Sequence, residues 1–582
     1  MKRFSRRQLL GILGTGAVAG AATPWVRSTQ SQQNHTDSPV KLQYNTSATA
    51  HVFSLSVMSG DPSPSGVVLW TRIAPSAYQQ GKSLFFQVAQ DARFAETVLE
   101  GDIDAREIGP EHDYTIQVDL DGQLQADTRY YYRFIYDGTT SRTGRCRTTP
   151  APDQAVQNLC FGVITCQDYT NGYYGAFRSL GDRDDIDWII HLGDFIYESA
   201  GDPRFQSLPF EDRCIILPSN TTVALDLADY RHIYRTYRSD LDFQHCLEQH
   251  TFIQIWDDHE IANDCYWDAT RDTLGAPDHP YTKDPEYGND PALLRRLAID
   301  ARQAWREYVP ARVPTDFSAR HPHELTQIYR SFRFGNLTEL FLTDERSYRS
   351  PHPCGEEELG GRYTPIGCKT YKASDQTMLG EKQRDWLLAG ALESNAQWKV
   401  WGNEVLMTSL SLGRKSNSVP LLVDGWDGFQ TERKLIAEAL HQNKEENLVV
   451  LSGDLHTSVV AHLKIDYDKK ASPFIATEFM TTSLTSAGLT EQAGGQFGSA
   501  LSGLPSAVGQ LVRGTNPHIV LFDTSHQGYA ILEITPEKCL WDIHAVDKNT
   551  PDGAITDQRL HRYERTSGNP LVRESTAPVT TP

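Results

Sequence analysis

The sequence is short of basic charge and of long apolar runs. Lys and Arg number 55 against 75 Asp and Glu, which gives the 582-residue chain a formal net charge of −20. Duplex nucleic-acid binding draws its affinity from clustered Lys and Arg, so we do not expect it here. Beyond the N-terminus the chain lacks any run of about 18 apolar residues, so no stable membrane span is predicted once a signal is removed. An anionic substrate would need a cleft that holds metal and a few arginines.

The chain is too long for a single hydrophobic core, so two packed units with terminal extensions are predicted. Changes in composition divide it into a signal peptide at 1–28, a polar linker at 29–48, a β-sandwich domain at 49–150, a catalytic domain at 155–547 and a polar C-terminal tail at 548–582. We expect the tail to be loosely ordered.

The N-terminus is typical of an export signal. Arg6 and Arg7 precede an apolar stretch rich in Gly and Ala, which ends near a small-residue site at residues 19–21. Paired arginines favour the twin-arginine export machinery as a partner, and this machinery carries folded proteins. An ordinary secretory signal or a signal anchor is the alternative. The protein is predicted to be exported, to a periplasmic or extracellular location.

The nine cysteines are an odd number, so at least one thiol is left over if disulfides form after export. Cys354 and Cys368 flank a Gly-rich loop and are suited to a local bridge. Spacing alone does not fix the pairing.

Two strand patterns follow one another along the chain. Short alternating runs at 67–70, 84–88 and 130–134, separated by turns, predict an N-terminal Ig-like β-sandwich. After residue 152, buried-type strands alternate with helices such as 291–308 and 381–393, which predicts an α/β domain.

Four of the apolar strands are followed by side chains that bind metals. A single Gly-Asp pair after a strand is usually a turn or a cap, but four polar clusters in order predict one site at the carboxyl ends of the strands. A glycine before Asp194 and before Asp454 is expected to let the backbone turn sharply. The clusters contain Cys166; Asp194 and Tyr197; Asp258, His259 and Glu260; and Asp454 and His456.

Three phrases, at residues 57–62, 68–72 and 344–349, together with these clusters, resemble the alkaline phosphatase D family of binuclear metallophosphoesterases. The purple acid phosphatases are its more distant relatives. The resemblance implies a four-layer αββα catalytic domain and hydrolysis of phosphate mono- or diesters.

The resemblance also implies a ligand set. It makes Asp194 the bridging carboxylate, Tyr197 a phenolate ligand and His456 an imidazole ligand of ferric iron (Fe3+). Cys166 would supply a thiolate to the same ion, and thiolate and phenolate suit a high-valent ion. The alternative for Cys166 is half of a disulfide.

The second ion would be bound by Asp194, Asp258, Asn403 and Asp454. The purple acid phosphatases use histidines at the last two positions, whereas oxygen ligands alone suit a hard cation, so calcium (Ca2+) is predicted. Glu260 is assigned to an additional calcium.

The expected reaction is attack of a metal-bound hydroxide on phosphorus. His259 would hold a phosphate oxygen or protonate the leaving group, unless it is only a solvated neighbour of the site. Arg346 would pair with substrate oxygens or hold Asp344 in place. A phospholipase D-like phosphodiesterase and a non-catalytic calcium-binding surface protein are the rival functions.

Overall fold

The computed structural model describes residues 2–4, 47–201, 206, 208–373, 375–413, 418–489, 491, 505–551 and 556–575. Apart from a short strand at Lys2–Phe4, the predicted signal peptide lies outside the described residues, and so does the predicted linker up to residue 46. Within the described ranges, no helix combines the length and the apolar character that crossing a membrane requires.

Most strands belong to three sheets, and the rest form two short hairpins. The six-stranded sheet contains β1 (Lys2–Phe4), β4 (Leu84–Ala89), β5 (Thr97–Ile103), β7 (Arg129–Tyr136), β8 (Thr139–Thr140) and β9 (Gly144–Arg147). The ten-stranded sheet contains β2 (Val57–Ser63), β3 (Gly66–Arg72), β6 (Thr115–Asp119), β10 (Leu159–Ile164), β11 (Trp188–Leu192), β12 (Thr251–Ile255), β24 (Gly528–Ile534), β25 (Lys538–Val546), β26 (Asp557–Thr566) and β27 (Val572–Glu574). The seven-stranded sheet contains β15 (Arg330–Phe334), β16 (Thr338–Leu342), β17 (Trp398–Gly402), β20 (Leu448–Ser452), β21 (Ser458–Lys464), β22 (Phe474–Met480) and β23 (Ile519–Asp523). The hairpins pair β13 (Tyr266–Asp268) with β14 (Thr273–Gly275) and β18 (Ser411–Leu412) with β19 (Val419–Pro420).

The described helices are mostly short, and the longest has clear sequence signals. Asp290 caps its start by accepting a hydrogen bond from the Ala292 amide, and Pro291 occupies its first turn, where no amide donor is needed. The helices are α1 (Ser47–Val52), α2 (Gly175–Gly181), α3 (Leu227–Tyr237), α4 (Leu241–Gln249), α5 (Pro280–Lys283), α6 (Pro291–Tyr308), α7 (Pro322–Leu325), α8 (Gly380–Glu393), α9 (Gln430–Gln442) and α10 (Pro505–Thr515).

The N-terminal strands enclose a core of their own. Val67 and Leu69 from β3 pack in one cluster with Phe86 from β4 and Phe134 from β7, so two layers of strands face each other. The layer of β2, β3 and β6 is not separate from the rest of the chain, because β2 pairs in parallel with β12. The expected domain border near residue 150 therefore cuts through a continuous sheet.

The two larger sheets share a second core. On β17, Trp398 and Val400 face the cluster that also contains strands β10 to β12, whereas Trp401 faces the cluster that includes residues of α8 and α9. This alternation follows from the period of two in a strand. Both sheets contain a parallel set, β10–β11–β12 in one and β16–β17–β20 in the other. The fold is mixed α/β, as predicted.

The C-terminal residues correct one expectation. Residues 557–566 and 572–574 form β26 and β27 of the ten-stranded sheet, so this part of the predicted tail is not loosely ordered. Its polar composition concealed the strand because charged side chains pair across the ladder. Arg562 binds Asp542 on β25, and Lys538 on β25 binds Glu564.

Candidate metal centre

The predicted ligands lie together at the carboxyl ends of two sets of parallel strands. Cys166, Asp194 and Asp258 follow β10, β11 and β12 of one sheet. Asn403 follows β17 and Asp454 follows β20 of the other sheet. Because the two sheets share a core, their carboxyl edges lie side by side, and the side chains of Cys166, Asp194, Asp258 and Asp454 fall in neighbouring groups.

Four of the ligand candidates have backbone conformations that are uncommon outside glycine. The φ angles are 55° at Cys166, 57° at Asp194, 68° at Asp454 and 52° at His456. Such left-handed residues cost about 1–3 kcal/mol each and collect at functional sites. Each one turns the chain abruptly after its strand, so the side chain is directed to the edge of the sheet.

Gly193 and Gly453, which precede Asp194 and Asp454, are required for different structural reasons. Gly193 has a φ of +99°, and a Cβ there would lie 2.4 Å from the Cβ of Asp257. Gly453 is needed for a close approach: its Cβ would lie 2.6 Å from the hydroxyl of Thr165 on the facing sheet. The expected sharp turn at this second position is made by Asp454 itself. The lack of a side chain at Gly193 and Gly453 thus allows these close approaches at the carboxyl ends of the strands.

The first group of side chains contains one sulfur, one oxygen and one nitrogen ligand. Ligand atoms of Cys166, Asp194 and His456 lie within 4.8 Å of one another. The Tyr197 hydroxyl is 2.9 Å from Asp194 Oδ2 and 3.1 Å from His456 Nε2. Cys166 is a free, buried thiol, which differs from the half-cystine alternative, and the described disulfide joins Cys354 to Cys368.

The ring of His456 is prepared for binding through Nε2. Its Nδ1 lies 2.8 Å from the Ala487 carbonyl oxygen, which only accepts, so Nδ1 carries the proton and Nε2 keeps its lone pair. Burial lowers the pKa of His456 to about 4. The neutral imidazole that metals require is therefore the form present at neutral pH.

The second group consists of carboxylates. Oxygen atoms of Asp257, Asp258 and Asp454 lie within 4.8 Å of one another. Three buried oxygens, Asp194 Oδ1, Asp257 Oδ2 and Asp258 Oδ1, have no hydrogen-bond partner. Buried charged oxygens without partners are costly, and cations would satisfy them. The residues therefore fit bound metal, although sequence reasoning missed Asp257 beside the Asp258 that it selected.

Arg346 lies among the acidic side chains. Its side chain is fully buried, and the guanidinium binds Asp257, Asp424 Oδ2 at 2.8 Å and Asp454 Oδ1 at 2.8 Å. The fork is therefore held by three carboxylates, and its pairing with substrate oxygens stays a prediction. Asp344 Oδ1 accepts from the backbone amides of Arg346 and Ser347, whereas the Arg346 guanidinium contacts other carboxylates. Arg346 instead neutralises the acidic group.

Replacement of Arg346 by Met is expected to destabilise the fold by about 3–5 kcal/mol, the usual effect of removing one partner from a buried ion pair. Saturating calcium should raise the melting temperature of this variant more than that of the parent, because a cation replaces the lost positive charge. Thermal unfolding with and without calcium measures both effects.

The control for this experiment is Arg106→Met, since Arg106 is 87% exposed and its pair with Asp104 lies at the surface. That variant should unfold like the parent. An Arg346→Met variant that is as stable as the parent in calcium-free buffer would contradict the neutralising role.

His259 lies between the two groups. Its Nδ1 is 2.7 Å from Glu198 Oε2, and its ring packs on Tyr197 with centroids 4.1 Å apart. Burial disfavours the charged ring, but the negative charges of Glu198, Asp258 and Asp194 outweigh burial and hold the pKa of His259 well above its usual range. A protonated ring in this position is suited to donate a proton, and it is not a free solvated neighbour.

The carboxylate of Glu260 is held by backbone amides. One carboxylate oxygen accepts from the Phe195 amide at 2.7 Å, and the other accepts from the amides of Asp194 and Asp257 at 3.1 and 2.9 Å. The predicted role in an additional calcium site stays a prediction. Glu260 holds the turns that carry Asp194 and Asp257.

Asn403 is buried, and its amide is oriented by its neighbours. Its oxygen accepts from the Trp426 indole at 2.7 Å, and its nitrogen donates to the Val405 carbonyl. An amide oxygen has two lone pairs, so one remains for a cation. Its role as a ligand stays a prediction.

The fold and the buried cluster of metal-binding side chains define a phosphoesterase of the metallophosphoesterase class. The chain belongs to the PhoD-like phosphatase family. The sequence model of this family matches residues 161–543, and the model of the family's N-terminal domain matches residues 25–150.

Two relatives agree with this membership. Alkaline phosphatase D of Bacillus subtilis (strain 168) is 29% identical over 518 residues, which cover 88% of this chain and 80% of the relative. A solved structure of PhoD superposes with a TM-score of 0.75 at 26% identity, covering 92% of this chain and 94% of the other. A purple acid phosphatase from yellow lupin (Lupinus luteus) seeds has a TM-score of 0.46 at 11% identity, with 86% of this chain and 73% of the other covered, which is too distant to support an argument.

Proposed function

We propose that the protein is an exported alkaline phosphatase or phosphodiesterase that uses ferric iron and calcium. The observation that carries this proposal is the contact between two unlike ligand groups. One group combines thiol, phenol and imidazole around Asp194, and the other is built from carboxylates. Phosphate release from a monoester and from a diester, measured on protein whose metals have been analysed, tests the function.

Iron belongs in the first group. Cys166, Tyr197 and His456 offer a thiolate, a phenolate and an imidazole, which suit a high-valent ion. Burial, followed by the charge of Asp194, raises the pKa of the Cys166 thiol well above its usual range. A trivalent cation reverses that effect, because its positive charge favours the thiolate.

Calcium belongs in the second group. Asp258 and Asp454 are shared with the sequence prediction, Asn403 offers an amide oxygen, and Asp257 lies within the same cluster. Oxygen ligands in an irregular arrangement suit calcium better than zinc, which prefers nitrogen and sulfur in a tetrahedron.

The two ions, when bound, supply an activated water and neutralise the charge on the phosphoryl oxygens. The chain's own contribution to proton transfer is His259. Glu198 fixes Nδ1, so the other ring nitrogen is left to donate a proton to the leaving oxygen of the ester.

The proposal also includes a four-layer catalytic domain and an Ig-like N-terminal sandwich. Helices α8 and α9 pack on one face of the seven-stranded sheet, and the ten-stranded sheet packs on its other face. This order supports the four-layer αββα arrangement. The separate core of the N-terminal strands supports an Ig-like sandwich at 49–150 that precedes a catalytic unit.

Export is proposed from Arg6 and Arg7, which lie outside the described residues. Replacement of both by Lys should leave the protein in the cytoplasm, because the twin-arginine machinery reads the arginine pair and not merely its charge. Cell fractionation followed by immunoblotting measures this. Arg3→Lys leaves the pair intact and is the control. Export of the double variant at the parent's efficiency would indicate an ordinary secretory route.

A further inference from the structure

The loop at residues 483–487 contacts three of the residues assigned above to iron. The amides of Thr485 and Ser486 both donate to the Cys166 carbonyl at 3.3 Å. The Ala487 carbonyl accepts from His456. The Ser486 hydroxyl lies 2.7 Å from the Tyr197 oxygen. The loop therefore reaches three ligands that come from three separate strand ends.

The hydroxyl of Ser486 has one proton and two acceptors within reach of it. Its oxygen accepts from the Asp168 amide at 3.2 Å, and the Tyr197 oxygen and the Cys166 carbonyl, at 2.9 Å, are within reach of its proton. The Tyr197 proton is directed to Asp194, so the phenol oxygen is free to accept. His456 Nε2 carries no proton and cannot compete as a donor.

Loss of the Tyr197 proton favours the hydrogen bond from Ser486 to Tyr197 over the one from Ser486 to the Cys166 carbonyl. As a metal ligand Tyr197 has lost its proton, and an anionic oxygen is a better acceptor than a backbone carbonyl. Ser486 is only 1% exposed, so water does not replace its hydrogen bond, and a hydrogen bond is stronger in a medium of low dielectric constant.

We propose that Ser486 is a positioning residue of the iron site, which donates a hydrogen bond to the ligand oxygen of Tyr197 and weakens its electron donation to the metal. This inference rests on the proposed function. Hydrogen bonds to ligand atoms adjust both the geometry and the reduction potential of metal sites. Less donation from the phenolate raises the ferric/ferrous potential and moves charge-transfer absorption to shorter wavelength.

Iron-loaded Ser486→Ala protein is therefore expected to absorb at longer wavelength than the parent and to have a lower midpoint potential. Ser486→Thr keeps the hydroxyl and should resemble the parent. Ser483 supplies a matched control: it is buried in the same loop, and its hydroxyl donates to the Ser486 carbonyl without touching a ligand. Ser483→Ala should leave both the band and the potential in place.

A second measurement needs no variant. In the iron-loaded parent, the phenolate C–O stretch in the resonance Raman spectrum should shift when H₂O is exchanged for D₂O, because Ser486 carries an exchangeable proton. The role of Ser486 is overturned if the C–O stretch has the same frequency in H₂O and D₂O. It is also overturned if the absorption band and the midpoint potential of Ser486→Ala equal those of the parent. A parent that binds no iron and shows no charge-transfer band instead refutes the proposed function itself.

Discussion

Removal of calcium is expected to lower the rate of phosphate-ester hydrolysis by about 10³-fold while iron stays bound. A bound ion contributes several kcal/mol to stabilisation of the transition state, and each ~1.4 kcal/mol corresponds to a factor of ten in rate. Calcium exchanges readily from flexible oxygen sites, so a calcium-selective chelator should act quickly. The rate and the iron content are measured before chelation, after it, and after calcium or zinc is added back. Calcium should restore the rate and zinc should restore it poorly.

Substitutions test whether the calcium that supports activity binds at the carboxylate group. Asp454→Asn removes one charge from the cluster, so a higher calcium concentration should be needed for half-reactivation. Asp137→Asn is the control, because Asp137 is an exposed partner of Lys82 on the N-terminal domain. Full activity after exhaustive calcium removal, or recovery with zinc alone, would contradict the calcium assignment.

Loss of His456 should have a different signature from loss of His259. His456→Ala removes a ligand and should lower both iron content and rate. His259→Gln should keep its iron and lose about 10²–10⁴ in rate, the range that general acid catalysis supplies. Elemental analysis and hydrolysis rates on the same preparations separate these results.

His441→Ala is the matched control for both variants, because His441 is exposed at the end of α9. It should match the parent in iron and in rate. Equal iron contents in His456→Ala, His259→Gln and the parent would show that the roles of the two histidines are assigned wrongly.

The catalytic strands were predictable because each is apolar, short and followed by a polar cluster. Leu159–Ile164 and Trp188–Leu192 are two such strands, and the helix at Pro291–Tyr308 has the predicted bounds. Strand β26 could not be read in this way, because its side chains are stabilised by pairing with charges on β25.

The same distinction applies to the site. Side chains at strand ends, such as Cys166, Asp194 and Asp258, were found from the sequence because the end of a parallel strand fixes their location. Asp424 and Ser486 were missed because each lies in an irregular loop far along the chain from its partners. The amide contacts of the Glu260 carboxylate were also missed, because composition does not reveal which side chains face backbone amides.

The most direct test of the account is metal analysis and phosphate release measured on one preparation of the purified, full-length protein. Iron and calcium are expected in the protein, together with a visible charge-transfer band from Cys166 and Tyr197 and release of phosphate from an ester. Tyr197→Phe should shift or bleach that band. A colourless, iron-free preparation with full hydrolytic activity would contradict the proposed iron site.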